Sequence, residues 1–123
     1  MNNTAINSTS TSNVQPTNRD AQAKLMRLAT GYRLSQMLRV AAKLGIADIL
    51  ASGPKTCEEL AQQSGTHAPS LYRMLRALAA ADVFSQQADG RFALNALAEL
   101  LRSDVPGSVR GYAMMQGEDW IIA

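Results

Sequence analysis

Three observations predict a mainly α fold, a winged helix-turn-helix with a small β-hairpin wing and extra amino-terminal helices. The first is the run Thr56-Cys57-Glu58-Glu59, which reads as a capping box. The Thr56 hydroxyl can accept from the Glu59 N–H while the Glu59 carboxylate reaches back to the N–H of Thr56. The second is a sharp turn: Gly65 ends that helix, and His67-Ala68-Pro69 starts another with proline in its first turn, where its missing N–H costs nothing. Leu71, Met74, Leu75 and Leu78 then recur at three- and four-residue spacing, the mark of one buried helix face. The third is a change of period after Asp82. Val83-Phe84-Ser85-Gln86 and Arg91-Phe92-Ala93-Leu94 flank Gln87-Ala88-Asp89-Gly90, and Asp-Gly is a strong hairpin signal.

The elements around this centre follow in chain order. The chain has 123 residues, room for one domain. Met1 to Asn18 is mostly Asn, Ser and Thr with no charged side chain, so residues 1–18 are expected to form a disordered tail. This tail lacks the basic start and apolar core of a signal peptide. No stretch approaches the roughly 18 apolar residues that span a bilayer, so a soluble, cytoplasmic chain is expected.

Arg19 to Leu44 reads as helix, with Gly31 marking an expected bend or break because glycine costs about 1 kcal/mol relative to alanine in a helix. Its apolar residues, among them Leu25, Met26, Leu28, Ala29, Tyr32, Met37 and Val40, occupy more than one stripe. A second apolar face calls for a partner. Gly45 closes the helix, and Ile46 to Leu50 forms a further turn before Gly53-Pro54. Beyond the hairpin, Asn95 is a good N-cap for a helix from Ala96 to Arg102 with Leu97, Leu100 and Leu101 inward. Pro106-Gly107 then breaks the chain, and Ser108 is expected to cap a last helix containing Val109, Tyr112, Ala113, Met114 and Met115.

The charge pattern is weak. The formal net charge is +2, and the cations gather on the first helix: Arg19, Lys24, Arg27, Arg33, Arg39 and Lys43. The helix from Pro69 to Ala81, which would read bases in a DNA-binding winged helix, offers only Ser70, Arg73 and Arg76, and the wing is nearly neutral. Cys57 is the sole cysteine, so no intrachain disulfide or cysteine-based zinc pattern can form. Its place in a first helical turn could lower its pKa. A small half-buried residue is the preferred reading. His67, the sole histidine, sits at a helix start and reads as a cap or an exposed residue rather than a base.

Gly31-Tyr32-Arg33-Leu34-Ser35-Gln36-Met37-Leu38-Arg39-Val40-Ala41-Ala42-Lys43-Leu44-Gly45-Ile46-Ala47-Asp48-Ile49-Leu50 resembles the dimerisation helices of S-adenosylmethionine-dependent O-methyltransferases of the plant and bacterial type. Thr56 to Ala61, Ser70 to Leu78 and Arg91 to Leu94 follow in the family's order, and the resemblance covers about Leu25 to Trp120. Where the family usually carries Thr, this chain has Asn95; both residues cap helices, so the departure is expected to cost little.

The resemblance implies a homodimer with Leu25, Met26, Leu28, Ala29, Tyr32, Met37 and Val40 at its interface. It divides the chain into a tail (1–18), a winged-helix dimerisation domain (19–105) and the start of a linker helix towards a catalytic domain (106–123). Tyr112, Met115, Gln116 and Trp120 would line the cavity of a methyl acceptor, an aromatic or polyketide-like metabolite with a hydroxyl. In the family, S-adenosylmethionine and the catalytic histidine belong to a following domain. This chain shows no glycine-rich turn after a strand, so no catalytic, cofactor-binding or metal-binding residue is expected here. Its last residues, Trp120-Ile121-Ile122-Ala123, are odd for a complete domain, and a continuation is expected.

Two other readings stand beside this one: a winged-helix transcriptional regulator, and an interaction module pairing with full-length methyltransferase subunits. The partners expected are a second copy and a methyltransferase catalytic domain, with neither membrane nor nucleic acid.

Overall fold

The computed structural model describes residues 17–122, with side chains described as far as Gln116. The chain divides into two compact units between Gly31 and Tyr32. The expected tail lies outside the described residues, apart from Thr17 and Asn18 at its end. Helix α1, Asn18–Leu44, begins inside that expected tail. Thr17 Oγ1 accepts from the Asp20 N–H at 3.1 Å, and Asp20 Oδ2 accepts from the Thr17 N–H at 3.4 Å. This reciprocal cap satisfies donors that a helix start otherwise leaves orphaned.

No break occurs at Gly31: α1 is one helix of 27 residues. A break would forfeit several backbone hydrogen bonds at a net of about 0.5–1.5 kcal/mol each, more than one glycine costs.

The unit from Tyr32 onward holds the core. Ala41 and Ala42 of α1 are buried, Gly45 turns the chain, and α2 (Ile46–Leu50) buries Ile46, Ala47 and Leu50. Helix α3 (Cys57–Ser64) starts at the expected capping box, with the Glu59 N–H donating to Thr56 Oγ1 at 3.1 Å and the Thr56 N–H donating to Glu59 Oε1 at 2.8 Å. Gly65 ends it at φ 71°, in the left-handed region that glycine enters without a Cβ clash. Helix α4 (Ala68–Ala80) buries Leu71, Leu75 and Leu78, while Met74 is half-buried. Ile46, Leu60, Leu75, Leu78, Phe84 and Phe92 are the largest fully buried side chains.

The wing is shorter than the alternation predicts. Strands β1 (Ser85–Gln86) and β2 (Phe92–Ala93) pair antiparallel, Ser85 opposite Ala93 and Gln86 opposite Phe92. Asp82 and Phe84 hold positive φ values of 69° and 68°, so extended backbone cannot begin before Ser85. On its other edge Phe92 pairs with Lys55, exchanging backbone hydrogen bonds of 3.0 and 2.8 Å. Lys55 thus adds a one-residue third strand.

Helix α5 is only Ala96–Glu99, not Ala96 to Arg102. Ala98 and Leu101 are buried, whereas Leu97 (50% exposed) and Leu100 (38%) face outward, against expectation. The small Ala98 lets the backbone approach the core, and a single turn cannot bury three leucines at once. The last helix begins at Arg110, one residue later than expected, with Val109 before it; Ser108 Oγ still accepts from the Arg110 N–H at 3.2 Å. Helix α6 then runs Arg110–Ile122, with Ala113 and Met114 packed against the core.

Candidate dimer face and apolar groove

The amino-terminal unit presents an uncovered apolar face. Leu25, Met26 and Leu28 are 67%, 68% and 64% exposed, and Ala29 is exposed beside them. Leu25, Leu28 and Ala29 stand three and four residues apart, so they share one stripe. Long leucine and methionine side chains left in water each forgo about 1.5–3 kcal/mol of burial. In the second unit, Tyr32 and Val40 are exposed and Met37 is half-buried against the core.

A second apolar feature lies wholly within the unit from Tyr32 onward. A groove of about 390 Å³ runs between Ser35 and Leu38 of α1 and Tyr112, Ala113 and Gln116 of α6, floored by leucines around α5. Leu97 and Leu100 therefore turn outward onto a shared surface. The periodicity that placed them inward could not show this, because outward and inward leucines follow the same spacing. Of the residues expected to line an acceptor cavity, Tyr112 and Gln116 face this groove and Met115 is exposed. The side chain of Trp120 lies outside the described residues.

The face that would meet DNA is turned in on itself. Arg76 donates to the Tyr72 hydroxyl at 3.2 Å and stacks 5.8 Å from the ring centre. Gln86 of β1 donates to the same hydroxyl at 3.3 Å, and these bonds lower the Tyr72 pKa. Arg73 donates to Ser70 Oγ at 3.4 Å, and Arg91 on the wing pairs with Asp89 at 3.8 Å. His67, exposed at the start of α4, makes no side-chain cap; its Nδ1 lies 2.9 Å from Ser70 Oγ.

Cys57 follows the preferred reading of a small packed residue, more deeply buried than expected, and not the alternative of a lowered pKa. It is buried, its thiol donates to the Ala68 carbonyl at 3.4 Å, and burial, helped by Glu58, pushes its pKa up rather than down. Desolvation of the thiolate outweighs the pull of the helix start. Among the described residues, no group of three or more metal-ligating side chains gathers, and no helix is long and apolar enough to cross a membrane.

The architecture is that of a winged helix extended by a long amino-terminal helix whose apolar face lacks a cover. The sequence profile of the O-methyltransferase dimerisation domain matches residues 26–104, and the chain belongs to that family. It is 50% identical over 95 residues to a phenazine O-methyltransferase of Lysobacter antibioticus, covering 77% of this chain and 28% of that protein. It is 34% identical over 105 residues to the 8-amino-8-demethylriboflavin N,N-dimethyltransferase of Streptomyces davaonensis, covering 85% and 30%. The crystal structure of CalO1, a methyltransferase of calicheamicin biosynthesis with SAH bound, superposes with a TM-score of 0.71 at 42% identity, over 82% of this chain and 30% of that one. The chain thus spans under a third of the length of these relatives.

Proposed function

We propose that this chain is the dimerisation module of a cytoplasmic S-adenosylmethionine-dependent methyltransferase. Its partners are a second copy of itself and a methyltransferase catalytic domain. Residues 19–105 form the dimerisation domain and 106–123 begin the connection to the catalytic domain. The observation that carries this reading is the uncovered stripe on α1, together with the match of residues 26–104 to a dimerisation domain. Leu25, Met26, Leu28, Ala29, Tyr32, Met37 and Val40 form the contact between copies. Tyr112, Met115, Gln116 and Trp120 on α6 contribute one wall of the acceptor site, for an aromatic or polyketide-like metabolite methylated on a hydroxyl.

S-adenosylmethionine does not fit the residues present. The strand Phe92–Ala93 leads into α5 without a glycine-rich turn, and the α5 amino terminus is filled by its own residue, Asn95, whose Oδ1 accepts from the Ala98 N–H at 2.9 Å. On this reading these residues supply association and a wall, and the methyl donor belongs to the catalytic domain. Light scattering at micromolar concentration is expected to give twice the 13.2 kDa chain mass. The double substitution Leu25→Glu, Leu28→Glu should return it to the single-chain mass, because a buried unpaired carboxylate costs more than the contact yields. A wild-type monomer, or a double variant that still dimerises, would overturn the assignment.

A further inference from the structure

Helix α6 begins at three polar fasteners, and they do not all lead to the same place. The Val109 N–H donates to the Leu100 carbonyl at 2.8 Å, and the Ser108 hydroxyl donates to the Arg102 carbonyl at 2.6 Å. Both tie the helix start to the segment just before it. Arg110 reaches much further along the chain. Its Nε donates to the Ala42 carbonyl at 2.9 Å, across 68 positions of sequence.

Ala42 is buried in the last turn of α1, where helix carbonyls lack intrahelical donors. That carbonyl also accepts from the Gly45 N–H, at 3.2 Å. The guanidinium also places its positive charge at the negative end of the helix dipole. Arg110 therefore joins the two walls of the apolar groove, since Leu38 stands one turn before Ala42 and Ala113 one turn after Arg110.

We propose that Arg110 is a positioning residue that fastens α6 to the carboxyl end of α1. The helix bearing Tyr112, Met115 and Gln116 is thereby held at a fixed station on the last turns of α1, within the unit from Tyr32 onward. The significance for acceptor binding rests on the reading of α6 as a wall; the fastening itself does not. Arg suits the task because it stays charged and its Nε–H points sideways from a half-buried stem. Ala113 and Met114 supply contact with the core, and the Arg110 bond adds a directional tie to the Ala42 carbonyl that the hydrophobic driving force does not provide.

Native-state hydrogen exchange tests this on the whole chain. In Arg110→Ala the amides of Ala113 to Gln116 and of Gly45 should exchange at least about tenfold faster, about 1.4 kcal/mol, while those of Leu60, Leu75 and Leu78 keep their wild-type rates. Arg110→Lys, which retains a charged donor, should recover part of the protection. Unchanged exchange in α6 would overturn the proposal, and so would equal acceleration throughout the core, which would make Arg110 a general stabiliser. Failure of the lysine to recover any protection would also count against it. Light scattering on the same samples keeps the two claims apart: a monomeric wild type overturns the dimer reading and leaves the exchange result readable.

Discussion

Asn95 should matter far more than a helix cap. Its Oδ1 accepts from the Ala98 N–H at 2.9 Å and from the Phe84 N–H at 3.3 Å, while its Nδ2 donates to the Asp82 carbonyl at 3.0 Å. One side chain thus starts α5 and holds the turn in which Asp82 and Phe84 carry left-handed backbone. The separate costs can be ranked. Loss of an N-cap costs about 0.5–2 kcal/mol. The Asp82 carbonyl lies at an exposed position and regains a water partner, so its loss is minor. Phe84 is 1% exposed, and its N–H left without an acceptor costs about 1–3 kcal/mol. Asn95→Ala should therefore destabilise by about 2–4 kcal/mol.

Asn95→Thr separates the two roles. A threonine hydroxyl can cap Ala98 but is too short to serve Phe84 and Asp82 as well, so about 1–3 kcal/mol should still be lost. Capping alone would make the exchange of asparagine for threonine nearly neutral; in this structure Asn95 also serves Phe84 and Asp82. Urea unfolding at one fixed chain concentration measures both variants, since any self-association shifts apparent stability. An Asn95→Thr chain within about 0.5 kcal/mol of wild type would refute the ranking.

Two ionisable groups give further expectations. Burial, then Glu58, raises the Cys57 pKa, so the native thiol should react slowly with iodoacetamide at pH 8 and quickly once unfolded. Because its folded pKa lies above the unfolded one, the stability it confers is present below about pH 8.5 and declines as pH rises from there towards the folded value; rapid native alkylation would contradict this. The backbone hydrogen bond from Thr56 lowers the Glu59 pKa. Its contribution is therefore present above about pH 4.3 and is lost as pH falls through the lower folded value. Glu59→Gln keeps the capping geometry and should flatten the acid limb of a stability–pH profile; an unchanged limb would remove Glu59 from its causes.

Local chemistry was legible in the sequence, and long-range placement was not. Thr56 and Glu59, Gly65 and Pro69 announce α3, the turn and α4 because a cap needs only neighbours within four residues. The leucine stripe of α4 was legible for the same reason. The Lys55–Phe92 bridge left no local signal, since a single paired residue has no period. Leu97 and Leu100 were misplaced because spacing shows that leucines share a face but not which face the core takes. Cys57 depended on burial by α4, eleven residues away at Ala68. The Thr17-Asp20 cap was within reach, but a tail defined by composition swallowed it. Of the expected site, Tyr112 and Gln116 come together on the groove with Ser35 and Leu38, a meeting of distant segments that spacing cannot foresee.

The same fold elsewhere can read DNA, and the expectation that this chain does not do so rests on where its cations point. Duplex binding draws its affinity from lysines and arginines facing phosphates, and its specificity from side chains free to reach base edges. Here Arg76 covers the Tyr72 ring, Tyr72 in turn accepts from Gln86 on β1, and edge-on contact with Phe92 at 6.0 Å sets the ring's place. These contacts stitch α4 to the wing, whereas a DNA reader spreads the two surfaces over a groove and the backbone beside it. Turning Arg76 outward would break its bond and its stacking before any phosphate was met. Among the described residues, large exposed apolar side chains include Leu25, Met26 and Leu28 on α1 and, around the α1–α6 groove, Leu97, Leu100, Val109 and Tyr112. Burial of such surface against another protein is favourable in proportion to area and, unlike a phosphate contact, is not weakened by ionic screening. Association through these surfaces is what the proposed dimer reading requires of them, and the bonds from Tyr72 to Arg76 and Gln86 join α4 to the wing.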